Sequence, residues 1–309
     1  MPRRAIIDLG TNTFHLLIAD EEKIIHEEKF PVRMGLGGIN QGIITDEGID
    51  RSLTCLHHFA KTCASMQIKD IQAFGTSALR NASNGKAVAG RIKQETGIPV
   101  TIISGDEEAT LIYQGIRAAV PLGNQKNLLM DIGGGSVEFI IGNQTEIFWK
   151  QSLEVGGQRL LERFHQHDPI SAEEIQSLHD YLEKKLKALQ APLTKHNPET
   201  LVGSSGTFET LSDIFCVREG ILNQKLPESP LNFVSFHEIK NDLVRMNKTE
   251  RIAVPGMMVW RAEMIVVTCL LLDFILKLHN FKKIKVSRYS LKEGVLFRSH
   301  PNKSEYLSG

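Results

Sequence analysis

The sequence lacks the features that mark several large classes of protein. Its 309 residues include only four cysteines, and no two of them form a CxxC pair, which favours a reducing compartment and predicts a cytoplasmic protein. The 36 basic residues are balanced by 36 acidic ones, which argues against a nucleic-acid coat or an anionic membrane surface as partner. The most apolar run, residues 264–278, is interrupted by Asp273 and is too short to span a bilayer. We therefore expect a globular protein without nucleic-acid or membrane partners.

Two short segments of the chain repeat one pattern. Residues 6–20 and residues 129–143 align without a gap at a constant offset of 123 positions. The alignment places Asp8 on Asp131, a glycine on a glycine, and apolar positions on apolar positions. Each segment consists of two apolar runs around a glycine-containing turn, a pattern that predicts a β-hairpin.

The two hairpins open the two halves of the chain, and each half goes on with alternating helix and strand patterns. The polar stretch at residues 122–127 is the best candidate for the point where the halves join. The sequence therefore predicts an α/β protein of two duplicated domains, residues 1–122 and residues 123–309, which flank a central cleft.

Helix signals accompany this pattern. A capping box at Ser171 predicts a helix over residues 171–190, and Ser235 followed by Glu238 predicts another helix start. The apolar run is predicted to form a buried helix over residues 261–279. A homodimer would cover this helix, and packing within the chain is the alternative.

The two hairpin turns carry groups that suit a phosphate. A phosphate group needs donors on several sides at close range, and backbone N–H groups supply them where no Cβ blocks the approach. Both turns join two strands rather than a strand and a helix, and the pattern GxxxxGK[ST] is absent, so neither is a P-loop. The predicted phosphate-binding residues are Gly10, Thr11, Asn12 and Thr13 in the first turn, and Gly133, Gly134, Gly135 and Ser136 in the second.

The aspartates at the base of the turns predict a metal ion. A carboxylate beside a polyphosphate adds repulsion unless a cation lies between them, so Asp8 and Asp131 imply Mg²⁺ held by carboxylates, water and phosphate oxygens. For one turn alone, a tight hairpin with purely local hydrogen bonds is an equal explanation. Two copies in register favour a clamp on one phosphate chain.

A third glycine- and serine-rich segment, GSSGT at residues 203–207, precedes a predicted helix. Backbone N–H groups at a helix N-terminus bind anions, so Gly206 and Thr207 are further candidates for phosphate or nucleotide binding.

These segments resemble those of the exopolyphosphatase / guanosine pentaphosphate phosphohydrolase family. The resemblance covers nearly the whole chain, and its combination of motifs is far more specific than DIGGGS alone. It implies the duplicated ribonuclease H-like fold of actin, sugar kinases and the heat-shock ATPase chaperones. Besides the two hairpins and GSSGT, the similar segments are residues 32–49, 76–85, 104–115, 152–164, 260–264 and 287–296.

The resemblance also implies roles for individual residues. Glu108 falls where the family places its catalytic carboxylate, with Glu107 as the neighbouring alternative, and Arg80 falls on a position expected to face phosphate. The implied reaction is Mg²⁺-dependent hydrolysis of a phosphoanhydride by water that Glu108 activates. His15 is a departure, because the family usually has arginine there.

Three activities remain open at this stage. The first is release of orthophosphate from the ends of inorganic polyphosphate. The second is removal of the 5′ γ-phosphate of guanosine pentaphosphate, which uses the same chemistry. The third is an ATP-dependent kinase of the same fold. A non-catalytic nucleotide-binding protein is a further alternative, but it would not need the acidic segment around Glu108.

Overall fold

The computed structural model describes residues 3–222 and 226–298, and each half of it begins with three antiparallel strands. The strands are β1 (Arg4–Leu9), β2 (Phe14–Asp20), β3 (Lys23–Phe30), β4 (Asp70–Gly75), β5 (Val100–Ile102), β6 (Asn127–Ile132), β7 (Val137–Gly142), β8 (Ile147–Leu153), β9 (Thr200–Ser204), β10 (Glu228–Ser229) and β11 (Lys283–Ser287).

Helices connect and cover these strands. They are α1 (Asp46–Ser65), α2 (Ser77–Asn81), α3 (Gly85–Thr96), α4 (Gly105–Ala119), α5 (Gly157–Phe164), α6 (Ala172–Lys185), α7 (Gln190–His196), α8 (Ser205–Arg218), α9 (Phe233–Arg245), α10 (Lys248–Ala253), α11 (Ile265–Leu278) and α12 (Leu291–Phe297), with short 3-10 turns at Lys187–Leu189 and Val259–Arg261.

The order of the strands repeats between the two sheets. The first sheet has the order β3-β2-β1-β4-β5, and the second has β8-β7-β6-β9-β11 with β10 added at its edge. In each sheet the opening strand pairs antiparallel with the strand that follows it and parallel with a strand that comes after a helix. The duplicated α/β fold predicted from the sequence is thus confirmed by its topology.

Local signals set most helix boundaries, and one prediction about them is wrong. The Ser171 capping box is present, although the helix it begins ends at Lys185. Ser235 does not begin a helix. The side chain of Asn232 accepts a hydrogen bond from the Ser235 N–H, so α9 begins before Ser235. Asparagine is as good an N-cap as serine, and the earlier cap lengthens the helix at its start.

The apolar helix α11 is buried within the chain. It packs against α5, α6 and α9, and most of its side chains belong to the core of the second half. The homodimer stays a prediction, but α11 does not require one. Within the described residues, no helix is both long and apolar enough to cross a membrane.

Helix α12 returns to the first half of the chain and crosses α4 at very close range. A Cβ placed on Gly294 would lie 1.8 Å from the Leu111 backbone oxygen, and one on Gly115 would lie 2.0 Å from the Ser290 backbone oxygen. Only glycine allows the two helix backbones to touch in this way. The domain boundary predicted at residue 122 stays a prediction.

Replacing Gly294 by alanine is expected to destabilise the protein. The added methyl group has backbone atoms as neighbours, so α12 and α4 must separate, at a cost of about 3 kcal/mol or more in the free energy of unfolding. Urea denaturation would measure this. Gly90→Ala is the matched control, because Gly90 lies in α3 with open space around its Cβ position. That control should gain roughly 0.5–1 kcal/mol. Equal stability of Gly294→Ala and Gly90→Ala would contradict the close contact between α4 and α12.

Candidate active site

The two hairpin turns have the same internal geometry. The Gly10 N–H donates to the Thr13 carbonyl oxygen at 3.2 Å, and the Gly133 N–H donates to the Ser136 carbonyl oxygen at 3.1 Å. A Cβ on Gly10 or Gly133 would lie 2.8 or 3.0 Å from the same oxygen, so glycine is needed at both positions. The repeat seen in the sequence is therefore a repeat of structure.

The two turns touch each other across the two halves of the molecule. A Cβ on Gly134 would lie 3.0 Å from the Asn12 side chain, and a Cβ on Gly135 would lie 2.5 Å from Thr11 Oγ1. The Asn12 amide also donates a 2.9 Å hydrogen bond to the Gln158 side chain in the second half. The turns thus form facing walls of one cleft.

Most of the residues predicted from the sequence line this cleft. Two are not part of the lining, namely Arg80 and Thr207. The predicted residues that line it are Asp8, Gly10, Thr11, Asn12, Thr13, Glu108, Asp131, Gly133, Gly134, Gly135, Ser136 and Gly206.

Each sheet has a row of neighbouring polar side chains that begins at the aspartate before its turn. In the first sheet, Asp8, His15 and Lys29 are direct neighbours on β1, β2 and β3. In the second sheet, Asp131 and Glu138 are direct neighbours on β6 and β7. At the offset of 123 positions, His15 aligns with Glu138. The two rows therefore differ in charge at equivalent positions of the fold.

The two aspartates at the base of the turns differ in their hydrogen bonding. Asp131 Oδ2 accepts hydrogen bonds of 2.6 Å from both Ser204 and Ser290. Asp8 Oδ1 is buried and has no hydrogen-bond partner. Burial, followed by the charge of Glu108, raises the pKa of Asp8 from 3.8 to about 8. An unpartnered buried carboxylate beside other acids fits a cation, because a cation would replace the missing partner.

The residues of the cleft fit magnesium better than they fit a metal ion whose ligands are all protein side chains. In the described part of the chain, no group of three or more histidine, cysteine, aspartate and glutamate side chains is arranged to hold a metal ion. Magnesium typically takes one or two carboxylates and completes its shell with water and phosphate oxygens. The pair of Asp8 and Asp131 matches that pattern.

The start of α4 separates the two glutamates that the sequence left as alternatives. Ser104 caps the helix by accepting a hydrogen bond from the Glu107 N–H, and the Glu107 side chain is exposed. Glu108 is buried and lines the cleft. Burial raises the pKa of Glu108 to about 7, although Arg80 acts to lower it. A carboxylate with that pKa can both hold and release a proton near neutral pH.

Arg80 is bound to other protein side chains. Its Nη1 donates to Glu108 Oε2 at 2.6 Å, and its Nη2 lies 3.4 Å from Glu154 Oε1. These contacts fix the orientation of the Glu108 carboxylate. Binding of phosphate by Arg80 itself stays a prediction.

The third glycine segment forms the end of the cleft at α8. Ser205 has a φ of 74°, which lies in the left-handed region, and Gly206 packs directly under the Arg261 guanidinium. Thr207 is buried and its Oγ1 has no hydrogen-bond partner. Arg261 Nε is also buried without a partner. Donors without partners at a helix N-terminus suit an anion.

Most of the charged side chains of the cleft were not predicted from the sequence. Glu138 is buried beside Glu108, and its pKa is raised well above the ordinary value by burial and then by the charge of Glu108. The segments at residues 260–264 and 287–296 resemble those of the family, and that signal could have pointed to the residues within them. The charged residues of the cleft lining that were missed are Lys29, Glu209, Arg261, Arg288, Lys292 and Glu293.

His15 contributes no charge at neutral pH. Burial, and then the charges of Lys29 and Lys292, lowers the pKa of its imidazole well below the ordinary value. The cleft therefore has lysine and arginine side chains around a neutral ring at this position.

Comparisons with known proteins agree with this arrangement. The sequence profile of the Ppx/GppA phosphatase family matches residues 18–303. A crystal structure of an exopolyphosphatase from Cytophaga hutchinsonii is 44% identical and superposes with a TM-score of 0.92, covering 96% of this chain and 97% of that one. The resemblance inferred from the sequence is thereby confirmed.

Two curated relatives carry different names. Exopolyphosphatase 1 from Mycobacterium bovis is 26% identical over 302 residues, with 96% of this chain and 88% of that protein covered. Guanosine-5′-triphosphate,3′-diphosphate pyrophosphatase from Photobacterium profundum is 28% identical over 300 residues. The match covers 96% of this chain but only 59% of that longer protein.

Proposed function

The chain belongs to the Ppx/GppA phosphatase family, and we propose that it hydrolyses terminal phosphoanhydride bonds of inorganic polyphosphate with release of orthophosphate. The observation that carries the proposal is that Glu108 lines the same cleft as both glycine turns. The similarity to an exopolyphosphatase over almost the full length of both chains supports it.

Hydrolysis needs an attacking water, a positioned phosphoryl group and neutralised charge. Glu108 accepts the proton of the water, and the hydrogen bond from Arg80 at 2.6 Å holds its carboxylate in place. Backbone N–H groups of the two turns, other than those of Gly10 and Gly133, bind the oxygens of the terminal phosphate from opposite sides. Asp8 and Asp131 would hold Mg²⁺, which would offset the charge of the phosphate groups.

The 5′-phosphohydrolysis of guanosine pentaphosphate is a second candidate. It is favoured by the relative from Photobacterium profundum, whose name describes a guanosine polyphosphate substrate. The chemistry at the terminal phosphate would be the same, and the two substrates differ in the group that lies beyond it, which is either more phosphate or a guanosine. A cytoplasmic location is part of the same proposal.

Release of orthophosphate from three substrates tests the proposal. We expect rapid release from long-chain polyphosphate with Mg²⁺, slower release from guanosine pentaphosphate, and little from ATP. Added EDTA should stop the reaction. Faster release from guanosine pentaphosphate would favour the second candidate, and transfer of phosphate from ATP to an acceptor other than water would indicate a kinase.

A further inference from the structure

One ion pair inside the cleft joins the two halves of the molecule. Lys29 is on β3 of the first sheet and Glu209 is on α8 of the second half, and their Nζ and Oε2 atoms are 2.9 Å apart. Both residues line the cleft together with the predicted phosphate-binding turns. An anion that enters the cleft must therefore compete with this contact.

Glu209 contacts Lys29 and also interacts electrostatically with Lys292 and Arg261. Burial acts to raise the pKa of its carboxyl. The charges of Lys29, Lys292 and Arg261 outweigh burial and hold that pKa below its ordinary value. Glu209 thus stays ionised at neutral pH and balances like charges that would otherwise repel one another in the cleft.

The position of this cluster distinguishes a phosphate chain from a single phosphate. Asp8, at the predicted metal site, and Lys29 are separated by one intervening strand position, occupied by His15. Two strand spacings amount to about 9–10 Å. The charge of Lys292 acts on Asp8 and that of Arg261 acts on Asp131, so a single orthophosphate held between the two turns lies near part of this cluster. A chain of several phosphates extends further along the row towards Lys29 and contacts more of the cations.

We propose that Glu209 is an internal counter-ion that occupies the place of a substrate phosphate on Lys29, Lys292 and Arg261. An entering phosphate chain displaces it, and the carboxylate returns to Lys29 when the chain leaves. Glu209 is thus a specificity-determining residue that weakens the hold on a phosphate chain more than the hold on a single phosphate. The inference rests on the proposed function for the class of ligand, a linear phosphate chain.

The test is a comparison of two anions in one titration calorimetry experiment. Tripolyphosphate and orthophosphate are titrated with Mg²⁺ into protein that carries Glu108→Gln to suppress turnover, with and without Glu209→Gln. Glutamine keeps the size of the side chain and removes its charge. We expect tripolyphosphate to bind about tenfold more tightly in the Glu209→Gln protein, with a steeper dependence on salt, and orthophosphate to gain clearly less.

Two further variants make the test specific. Glu27→Gln is the matched control, because Glu27 also lies near Lys292, at 3.4 Å, but its side chain is 50% exposed and does not line the cleft. It should leave both affinities unchanged. Lys29→Met removes the cation that binds Glu209, and it should weaken tripolyphosphate binding more than orthophosphate binding.

Weaker tripolyphosphate binding in the Glu209→Gln protein would overturn the proposal, since it would make the ion pair a structural link between the two halves. An equal gain for tripolyphosphate and orthophosphate would also overturn it. The titrations measure binding and not turnover. Absence of phosphate release from polyphosphate by the parent protein would therefore end the proposed function, while the binding pattern would be judged separately.

Discussion

Replacing Glu108 by glutamine is expected to reduce phosphate release about 10²–10⁴-fold while the protein stays folded. Glutamine has the size of glutamate and can still accept a hydrogen bond from Arg80, but it cannot take a proton from water. Glu108 has a pKa of about 7, chiefly because it is buried. Removing a carboxyl whose folded pKa lies above its ordinary value does not lower stability at neutral pH.

The neighbouring glutamate supplies the control for this experiment. Glu107 lies one residue away on the same helix, is exposed, and donates its backbone N–H to the Ser104 cap. Glu107→Gln should keep nearly full activity. Near-normal phosphate release by Glu108→Gln, or loss of activity in Glu107→Gln, would refute the assignment of Glu108 as the base.

Replacing Asp8 by asparagine is expected to change how stability depends on pH and magnesium. The pKa of Asp8 is about 8 in the folded protein, raised first by burial, against an ordinary value of 3.8. Between these two values the folded state binds the proton more tightly than the unfolded state does, so the metal-free parent loses stability as pH rises from about 4 to about 8. Asp8→Asn lacks this loss, so at pH 8 its free energy of unfolding should exceed that of the metal-free parent by several kcal/mol.

Magnesium should reverse the order of stability of the parent and Asp8→Asn. A cation on Asp8 replaces the bound proton, so Mg²⁺ should stabilise the parent more at pH 8 than at pH 5, and should stabilise Asp8→Asn little at either pH. Urea denaturation with EDTA or with Mg²⁺ at the two pH values measures this. Asp50→Asn is the control, since the Asp50 side chain is 72% exposed and lies on α1, away from the cleft lining. An equal response of parent and Asp8→Asn to Mg²⁺ would remove Asp8 from the metal site.

The repeat in the sequence predicted the centre of the site because it reflects local structure. A glycine turn with an aspartate before it folds in the same way wherever it occurs, and the hydrogen bonds at Gly10 and Gly133 have nearly equal lengths, 3.2 and 3.1 Å. The spacing of the buried residues along α4 also distinguishes Glu108 from Glu107. Glu108, Leu111, Ile112 and Gly115 form one buried face, and Glu107 is outside it.

Other features depend on contacts between distant parts of the chain and could not be read locally. Lys29 and Glu209 look like ordinary surface charges on a strand and a helix, and only the packing of the two halves brings them together. The contact between Arg80 and Glu108 is another feature of this kind, because it joins α2 to α4, and phosphate binding by Arg80 stays a prediction. The start of α9 was missed because two good capping residues lie close together in the sequence.

The close crossing of α4 and α12 has a consequence for how the chain is made. Apolar residues from the first sheet and from α4 share one core with Leu291, Val295 and Leu296 of α12. During synthesis on the ribosome, the amino-terminal half therefore emerges with all its strands but with an apolar face of α4 uncovered until α12 has been translated. Chaperone binding to the nascent chain should persist to that point and end when α12 docks.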